Sequence, residues 1–343
     1  MLINSFLKPL RIAVVAFMAS VSVVLSFDNA QAQNSVLTIY TYDSFASEWG
    51  AGPVIAKAFE SECECKVNFV ALDSSIGILG RVQLEGETSK ADIVLGLDTN
   101  LMATASKTGL FAPHNVTFEG RIDLPVSFND DLFVPFDWGH FAFVYNEETM
   151  PSVPGSMQAL IDAPDDLRIV IQDPRTSTPG LGLLLWMKSI YGDQASDAWS
   201  KLSPKIITVT KGWWDAYSMF LDGEADMVLS YSTSPAYHIA AEGVDKYKAA
   251  SFSEGHYMQI EVAAMLKNAP QPELAQKFMD FILDDAFQSV IPSTNWMYPV
   301  GKTALPDAFD GLIVPAKSLS FTPEQVAGKK SAWVTEWQAA LSK

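Results

Sequence analysis

Three short clusters of hydroxyl side chains each follow an apolar run of the chain and precede a helical pattern. The clusters are Ser74-Ser75, Ser177-Thr178 and Ser232-Thr233-Ser234. Hydroxyl oxygens at a helix start accept hydrogen bonds from the first backbone N–H groups, and the same N–H groups bind phosphate or carboxylate. Proline follows Thr178 and Ser234, which predicts that these two residues are N-caps and that proline takes the first helical position. A single cluster of this kind is an ordinary helix cap, but three in equivalent places predict an anion-binding site.

Aromatic side chains lie near these hydroxyl clusters in the sequence. The candidates for contact with a ligand are Tyr42, Trp213, Tyr231, Tyr237 and Trp296. Burial in a hydrophobic core is the alternative for each of them. Rings beside anion-binding turns favour a flat, cationic or heteroaromatic ligand that carries a phosphate group. Asp43 and Asp215 are candidates for a counter-charge to such a cation, with a solvated carboxylate as the alternative.

Two adjacent tryptophans, Trp213 and Trp214, begin a predicted helix. Neighbouring side chains on a helix diverge by about 100°. We therefore expect Trp213 to face the ligand and Trp214 to lie in the core.

The residues that commonly carry catalysis are scattered. The four histidines are His114, His140, His238 and His256, and no pair has the H-x-x-x-H spacing of a metal-binding helix. No G-x-S-x-G or P-loop motif occurs. The only cysteines, Cys63 and Cys65, lack histidine or cysteine partners at the spacing of a zinc site. We expect no metal, no cofactor and no catalytic residue.

Short apolar runs alternate with helical patterns throughout the chain, which predicts an α/β fold with largely parallel sheets. The predicted strands are 36–42, 67–72, 91–97, 167–172, 206–209 and 227–231. Two longer extended stretches, 133–145 and 256–266, have no helical period. They suit chain crossings, so we expect two lobes with a hinge between them. Near the end, Trp333, Trp337 and Leu341 recur every four residues and should form one buried helix face.

The first 32 residues resemble a secretory signal peptide. Lys8 and Arg11 precede an apolar stretch at 12–27, and Ala30-Gln31-Ala32 forms a small-x-small cleavage signal. A membrane anchor is the alternative, but the stretch is shorter than the ~20 residues that span a bilayer. We expect an exported protein that begins near Gln33. In an oxidising compartment Cys63 and Cys65 are candidates for a disulfide, with two free thiols as the alternative.

Length and composition limit the class of protein. The 343 residues allow two domains, and 48% hydrophobic with 18% charged residues is sufficient for packed cores. The net charge of −17 would repel a nucleic-acid backbone, so we expect no nucleic-acid partner.

Five blocks of sequence, in order, resemble the periplasmic thiamine-binding proteins of bacterial ABC importers. They are LTIYTYDSF at 37–45, DPRTSTPGLGL at 173–183, TKGW at 210–213, SPAYH at 234–238 and NWMYP at 295–299. The resemblance covers nearly the whole chain after residue 32, and the Cys63-x-Cys65 pair also matches it. It implies a type II periplasmic substrate-binding protein with two α/β lobes and parallel-rich sheets flanked by helices. We expect lobe 1 at 33–136 plus 262–343 and lobe 2 at 137–261.

The resemblance also implies the ligand and the partner. The ligand would be thiamine, thiamine monophosphate or thiamine diphosphate, delivered by a monomer to an inner-membrane ABC permease. Contacts to the phosphate end would come from Ser74, Ser75, Ser177, Thr178, Tyr231, Ser232, Thr233 and Ser234. Contacts to the rings would come from Tyr42, Trp213, Tyr237 and Trp296. At Asp73-Ser74-Ser75 the chain departs from the acidic-Asp-Gly sequence of the family.

Three other classes share this kind of fold. Thiaminase I cleaves thiamine with a cysteine nucleophile, and a disulfide between Cys63 and Cys65 would silence both thiols. Ferric sites use adjacent tyrosines, whereas Ser232 follows Tyr231. Polyamine sites need several carboxylates and no anion caps. The sequence therefore favours a thiamine-binding protein over an enzyme or an iron- or polyamine-binding protein.

Overall fold

The strands of the structure lie where the apolar runs of the sequence predict them. The computed structural model describes residues 35–342. The predicted signal peptide at 1–32 and the mature start near Gln33 lie outside the described residues. Within them the strands are β1 Val36–Tyr42, β2 Lys66–Leu72, β3 Ile93–Asp98, β4 Phe133–Asn146, β5 Ile169–Gln172, β6 Ile206–Thr210, β7 Met227–Tyr231, β8 Tyr247–Ala249, β9 His256–Met265, β10 Tyr298–Pro299 and β11 Ser318–Leu319.

Helices connect most of these strands. They are α1 Asp43–Ala46, α2 Ala51–Cys63, α3 Ser75–Glu85, α4 Met102–Ser106, α5 Met157–Ile161, α6 Thr178–Tyr191, α7 Ala195–Leu202, α8 Trp213–Leu221, α9 Pro235–Tyr237, α10 Pro272–Phe281, α11 Asp285–Gln288 and α12 Pro323–Leu341. Two π-helical turns, His238–Glu242 and Ile291–Asn295, follow α9 and α11. None of the helices between residues 35 and 342 is both long enough and apolar enough to cross a membrane.

The sheet has parallel outer parts and an antiparallel centre. Its strands run in the order β2-β1-β3-β9-β4-β7-β5-β6. β1 pairs in parallel with β2 and β3, and β5 pairs in parallel with β6 and β7. Between these two parts, β9 and β4 pair antiparallel with each other and with their outer neighbours. The predicted parallel α/β units are confirmed. The alternation of strands with helices along the chain did not predict the antiparallel centre.

The two long extended stretches of the sequence are the central strands β4 and β9. Residues 133–140 of β4 pair with β9, and residues 141–145 pair with β7. Strand β4 therefore connects the two parallel parts of the sheet.

Both faces of β3, β5 and β7 are buried, which explains their continuous apolar runs, whereas the edge strands β2 and β6 expose one face. In β1, Leu37 and Ile39 belong to one apolar cluster, whereas Tyr40 on the opposite face belongs to another. The C-terminal helix α12 adds its tryptophan face to the second of these clusters. Trp337 is buried against Trp199, and Trp333 lies against Phe321. The predicted packing role of this helix face is confirmed.

Candidate ligand-binding site

The hydroxyl residues that follow β2 and β5 meet at one edge of the sheet. Ser74 donates a hydrogen bond to the Thr176 carbonyl oxygen, and Ser75 donates one to the carbonyl oxygen of Gly96 in β3. Thr178 Oγ1 donates to Ser75 Oγ at 2.8 Å. These three hydroxyl side chains are buried. The residues that follow the carboxyl ends of β2 and β5, strands of the two different parallel parts of the sheet, meet here, as expected for a ligand site in an α/β fold.

Helix α6 begins at this junction, and its first turn differs by one residue from the prediction. Ser177 is the N-cap and Thr178 is the first helical residue, so Pro179 takes the second position. The prediction that Thr178 is the cap was wrong, because the helical conformation already includes Thr178. Its hydroxyl therefore makes no cap hydrogen bond and donates a hydrogen bond to Ser75 Oγ instead. The unpaired N–H groups of the first turn of this 14-residue helix provide a partial positive charge.

A glycine allows α6 to start so close to β5. A Cβ atom at Gly180 would lie 2.5 Å from the Gln172 carbonyl oxygen, so a larger residue would push the helix away from the strand.

The third hydroxyl cluster lies after β7 and is used differently. Ser234 Oγ accepts a hydrogen bond from the Tyr231 N–H at 3.1 Å and lies 2.7 Å from Ser230 Oγ. Thr233 Oγ1 lies 3.7 Å from the sulfur of Met297. Ser232 Oγ is buried and has no hydrogen-bond partner within residues 35–342. Ser234 is an N-cap as predicted, but its hydroxyl stabilises the turn before α9 and makes no cap hydrogen bond.

Trp213 is held in place at the start of α8. Its indole Nε1 donates to Ser230 Oγ at 2.8 Å, and its ring stacks on Tyr217 with centroids 5.0 Å apart. Ser230 also contacts Ser234, so the tryptophan is tied to the third hydroxyl cluster. Half-buried Trp213 therefore has a fixed orientation.

Trp214 does not enter the core, and its ring centroid lies 5.9 Å from that of Trp213. Its exposed fraction is 49%, and its ring lies 5.8 Å from that of Trp49, which is 55% exposed. The prediction that Trp214 is a core residue was wrong. Both faces of α8 carry aromatic residues, and Ala216, Tyr217 and Phe220 are its buried residues. The periodicity of the sequence alone did not distinguish these two faces.

The other predicted ring contacts form an edge-to-face pair. Tyr237 and Trp296 have centroids 5.5 Å apart at an interplanar angle of 78°. Trp296 has a φ of 55°, a left-handed conformation that ends the π-helical turn before it. The neighbouring Asn295 links this loop to Tyr42, whose hydroxyl oxygen accepts from Asn295 Nδ2 at 3.1 Å.

Charged side chains gather at the rim beside the first hydroxyl junction. Lys211 forms an ion pair with Asp73. Burial raises the pKa of Asp43, and the nearby carboxylates of Asp73 and Asp215 raise it further. Both aspartates that the sequence suggested as counter-charges are therefore near this rim. Sequence reasoning missed Lys211 as part of the rim, although it lies within one of the recognised blocks.

A buried polar group in the centre of the sheet was also missed. Asp137 of β4 and Glu261 of β9 occupy opposite positions of the antiparallel pair, so their side chains share one face. Glu261 Oε2 accepts from the Tyr42 hydroxyl at 2.7 Å, and Asp137 Oδ2 accepts from Asn295 Nδ2 at 2.6 Å. Each is the only acidic residue in its strand, which is the signal that would have identified them.

Gln259 and Tyr231 extend this group along the same face. The Tyr231 hydroxyl donates to Gln259 Oε1 at 3.4 Å. Burial raises the pKa of Tyr231 well above its ordinary value, and the carboxyl of Glu261 raises it further. Two of the predicted ligand contacts, Tyr42 and Tyr231, thus adjoin the buried carboxyls.

The cysteines lie away from these groups. Cys63 at the end of α2 and Cys65 before β2 form a disulfide with Cα atoms 5.1 Å apart. No group of three or more metal-ligating side chains that could hold an ion occurs in the described part of the chain.

Comparison with known proteins places this arrangement in a class. A family model described as bacterial extracellular solute-binding protein matches residues 50–289. The chain belongs to this family, and its fold is that of the type II periplasmic binding proteins.

Individual relatives are much closer. The chain is 55% identical over 308 residues to the thiamine-binding periplasmic protein of Escherichia coli (strain K12). The alignment covers 90% of this chain and 94% of that protein. It is 52% identical over 316 residues to the thiamine-binding periplasmic protein of Brucella suis biovar 1 (strain 1330), and the alignment covers 92% of this chain and 94% of that one. A solved structure described as a periplasmic thiamin binding protein superposes with a TM-score of 0.88 at 55% identity, covering 90% of this chain and 96% of that chain.

Proposed function

We propose that this protein captures thiamine and its mono- and diphosphate in the periplasm and delivers them to an ABC permease of the inner membrane. The observation that carries the proposal is the junction of Ser74, Ser75 and Thr178 at the start of α6, with aromatic rings on neighbouring turns. Its location at the carboxyl ends of parallel strands suits a phosphate-bearing heterocycle. The high identity to proteins named for thiamine binding supports the same ligand.

The ligand binds between two lobes, of which lobe 1 is 33–136 plus 262–343 and lobe 2 is 137–261. Three contacts join a residue of lobe 1 to a residue of lobe 2 and support a ligand site between the lobes. They are Ser75 with Thr178, Asp73 with Lys211, and Trp49 with Trp214. They surround the hydroxyl junction. A ligand that bridges both lobes at this place stabilises the closed arrangement, and the permease then receives a closed, loaded protein.

The phosphate end of the ligand lies at the α6 N-terminus. Ser74, Ser75, Ser177 and Thr178 contact the phosphate there, and the hydroxyls of Ser74, Ser75 and Thr178 turn from their present acceptors to its oxygens. The first N–H groups of α6 add their partial charge. The turn 231–234, with Tyr231, Ser232, Thr233 and Ser234, completes the phosphate site. Ser232 is the member of this turn whose buried hydroxyl lacks a partner within the described chain.

The rings of the ligand lie against Tyr42, Trp213, Tyr237 and Trp296. A thiazolium cation on the face of a tyrosine or tryptophan gains about 0.5–2 kcal/mol per contact. The carboxylates of Asp43 and Asp215 at the rim add a favourable field for a cation. Together these groups bind a molecule with a cationic ring at one end and a phosphate at the other.

The protein binds its ligand without cleaving it and acts as a monomer. A thiaminase would need a free thiolate, and both cysteines are joined in the disulfide. Of the classes that share this fold, a transport component is favoured over an enzyme.

Calorimetric titration of the protein from residue 33 onward tests the proposal. Thiamine, thiamine monophosphate and thiamine diphosphate should each bind with one-to-one stoichiometry, and the ligand recovered afterwards should be unchanged. Ferric iron and spermidine serve as control ligands for the rival classes. Binding of either control without binding of thiamine would refute the proposed function.

A further inference from the structure

Two exposed tryptophans meet across the proposed division between the lobes. Trp49 belongs to lobe 1 and lies in the turn between α1 and α2, whereas Trp214 belongs to lobe 2 and is the second residue of α8. They are the two most exposed tryptophans between residues 35 and 342. Their ring centroids lie 5.8 Å apart at an interplanar angle of 40°. Neither ring belongs to an apolar cluster of the described chain, so packing within one lobe does not account for this contact.

The turn that carries Trp49 has little conformational freedom. The Ser47 N–H donates to the Asp43 carbonyl oxygen at 2.9 Å and closes the turn. A Cβ atom at Gly50 would clash with the Ser44 carbonyl oxygen, so the chain passes here as closely as glycine alone allows. The partner tryptophan is fixed on a helix. The two rings can therefore pair without the ordering of a mobile backbone segment.

The pair continues a row of aromatic rings that leads to the proposed ligand site. The centroid of Trp214 lies 5.9 Å from that of Trp213, and Trp213 stacks on Tyr217 at 5.0 Å. Trp213 is the tryptophan that we place against a ring of the ligand. One intervening ring thus separates Trp49 of lobe 1 from a proposed ligand contact of lobe 2.

An ion pair crosses the same division beside the tryptophans. Lys211, three residues before Trp214, pairs with Asp73 of lobe 1. The hydrogen bond and charge of Asp73 raise the pKa of Lys211, and the carboxylates of Asp215 and Asp43 raise it further. The side chains of this ion pair are 63% and 60% exposed, so water and salt weaken it. We therefore expect the tryptophan pair to contribute more than the ion pair to holding the lobes together.

We propose that Trp49 and Trp214 form a latch that keeps the lobes closed over a bound ligand and thereby sets the rate of ligand release. The inference rests on the proposed function and adds the residues that determine how long the loaded protein stays closed. Because the two rings lie on opposite sides of the division, the lobes cannot separate until the rings do. The ligand enters the open protein, in which the pair is not formed. The latch therefore slows dissociation and leaves association unchanged.

Release of radiolabelled thiamine into an excess of unlabelled thiamine, followed by rapid filtration, tests the latch. Trp214→Ala should release thiamine about two- to tenfold faster than the wild type, which is the factor expected for the loss of one aromatic pair. Its association rate constant should equal that of the wild type. Because the latch acts on closure, release of thiamine monophosphate and diphosphate should accelerate by the same factor. Trp214→Phe, which keeps a ring, should release thiamine more slowly than the alanine variant.

A double-mutant cycle separates a latch from two independent ring contacts with the ligand. Trp49→Ala removes the same pair from the other lobe, so the Trp49→Ala/Trp214→Ala variant should release thiamine no faster than the faster single variant. Leu84→Ala is the control. Leu84 is an apolar residue of α3 that is 89% exposed, and its alanine variant should release thiamine at the wild-type rate.

Failure of the latch and failure of the proposed function give different results. A wild type that binds no thiamine would refute the proposed function itself. If the wild type binds thiamine and Trp214→Ala releases it at the wild-type rate, the latch is overturned while thiamine binding stands. The latch is also overturned if the accelerations of the two single variants multiply in the double variant, or if Trp214→Ala slows association instead. Either of these results would indicate rings that act separately on the ligand.

Discussion

Thr178 donates a hydrogen bond of 2.8 Å to Ser75, a residue 103 positions earlier in the chain. The bond joins the start of α6 to the start of α3, and both side chains are buried. Since the Ser75 hydroxyl in turn donates a hydrogen bond to the Gly96 carbonyl oxygen, the two hydroxyls form a hydrogen-bond chain with a defined direction. Residues that follow β2 and β5 thus meet a residue of β3 where we place the phosphate.

Thr178→Ala should weaken thiamine monophosphate and diphosphate by about 1–3 kcal/mol, because a hydrogen-bond partner of the phosphate is lost. Unphosphorylated thiamine should lose much less. Thr178→Ser keeps the hydroxyl and is the control. Calorimetric titration of all three ligands measures the effect. Equal losses for phosphorylated and unphosphorylated ligands would mean that Thr178 acts through the packing of α6 and not through the phosphate.

Trp213→Ala should lower thiamine affinity by about 1–3 kcal/mol, since an aromatic partner of the cationic ring is removed. Trp213→Phe, which keeps a ring but loses the Nε1 bond to Ser230, should bind more tightly than the alanine variant. Tryptophan fluorescence or calorimetry provides the affinities. The assignment of Trp213 is incorrect if the alanine variant has a lower melting temperature while its folded fraction binds thiamine normally.

Trp214→Ala should change the free energy of unfolding by less than about 1 kcal/mol, because the ring is 49% exposed and contacts another exposed tryptophan, Trp49. Urea unfolding measures this value. A loss of about 3–5 kcal/mol would instead indicate a buried ring.

Asp98 should make stability depend on pH. Burial raises its pKa from 3.8 to about 6, so the folded protein holds this proton more tightly than the unfolded chain does. Its contribution to stability is complete at acidic pH and is lost as the pH rises through about 6. Asp98→Asn should therefore raise the free energy of unfolding by about 1–3 kcal/mol at pH 8 and change it little at pH 4.

Urea unfolding across this pH range tests the prediction. Asp193→Asn, at an exposed aspartate, is the control and should follow the wild type. An Asp98→Asn variant with the same pH dependence as the wild type would show that Asp98 ionises normally.

The intact mass of protein isolated from the periplasm should correspond to residues 33–343 with two hydrogens fewer. This result follows from the cleavage signal before Gln33 and from the disulfide of Cys63 with Cys65. Thiols that react with an alkylating reagent without prior reduction, or a mass that includes residues 1–32, would contradict it.

Local features of the fold follow from the sequence because they depend on neighbouring residues. The strands Val36–Tyr42 and Met227–Tyr231 have the predicted bounds, since an apolar run that ends at a polar turn defines a strand by itself. The hydroxyl clusters after the strands could be placed at one edge of the sheet for the same reason. Resemblance of five blocks to a known family then indicated the ligand.

Contacts between distant segments required the tertiary structure. The pairing of Asp137 with Glu261 depends on the register of two central strands, and that register is set by packing across the whole sheet. The exposure of Trp214 depends on which face of α8 meets β5 and β7, a choice that two adjacent tryptophans at the helix start do not specify. The sequence by itself thus determined the elements and the turns of the proposed ligand site, whereas only the tertiary structure decided which of their side chains meet, because long-range packing selects among faces that local periodicity leaves equivalent.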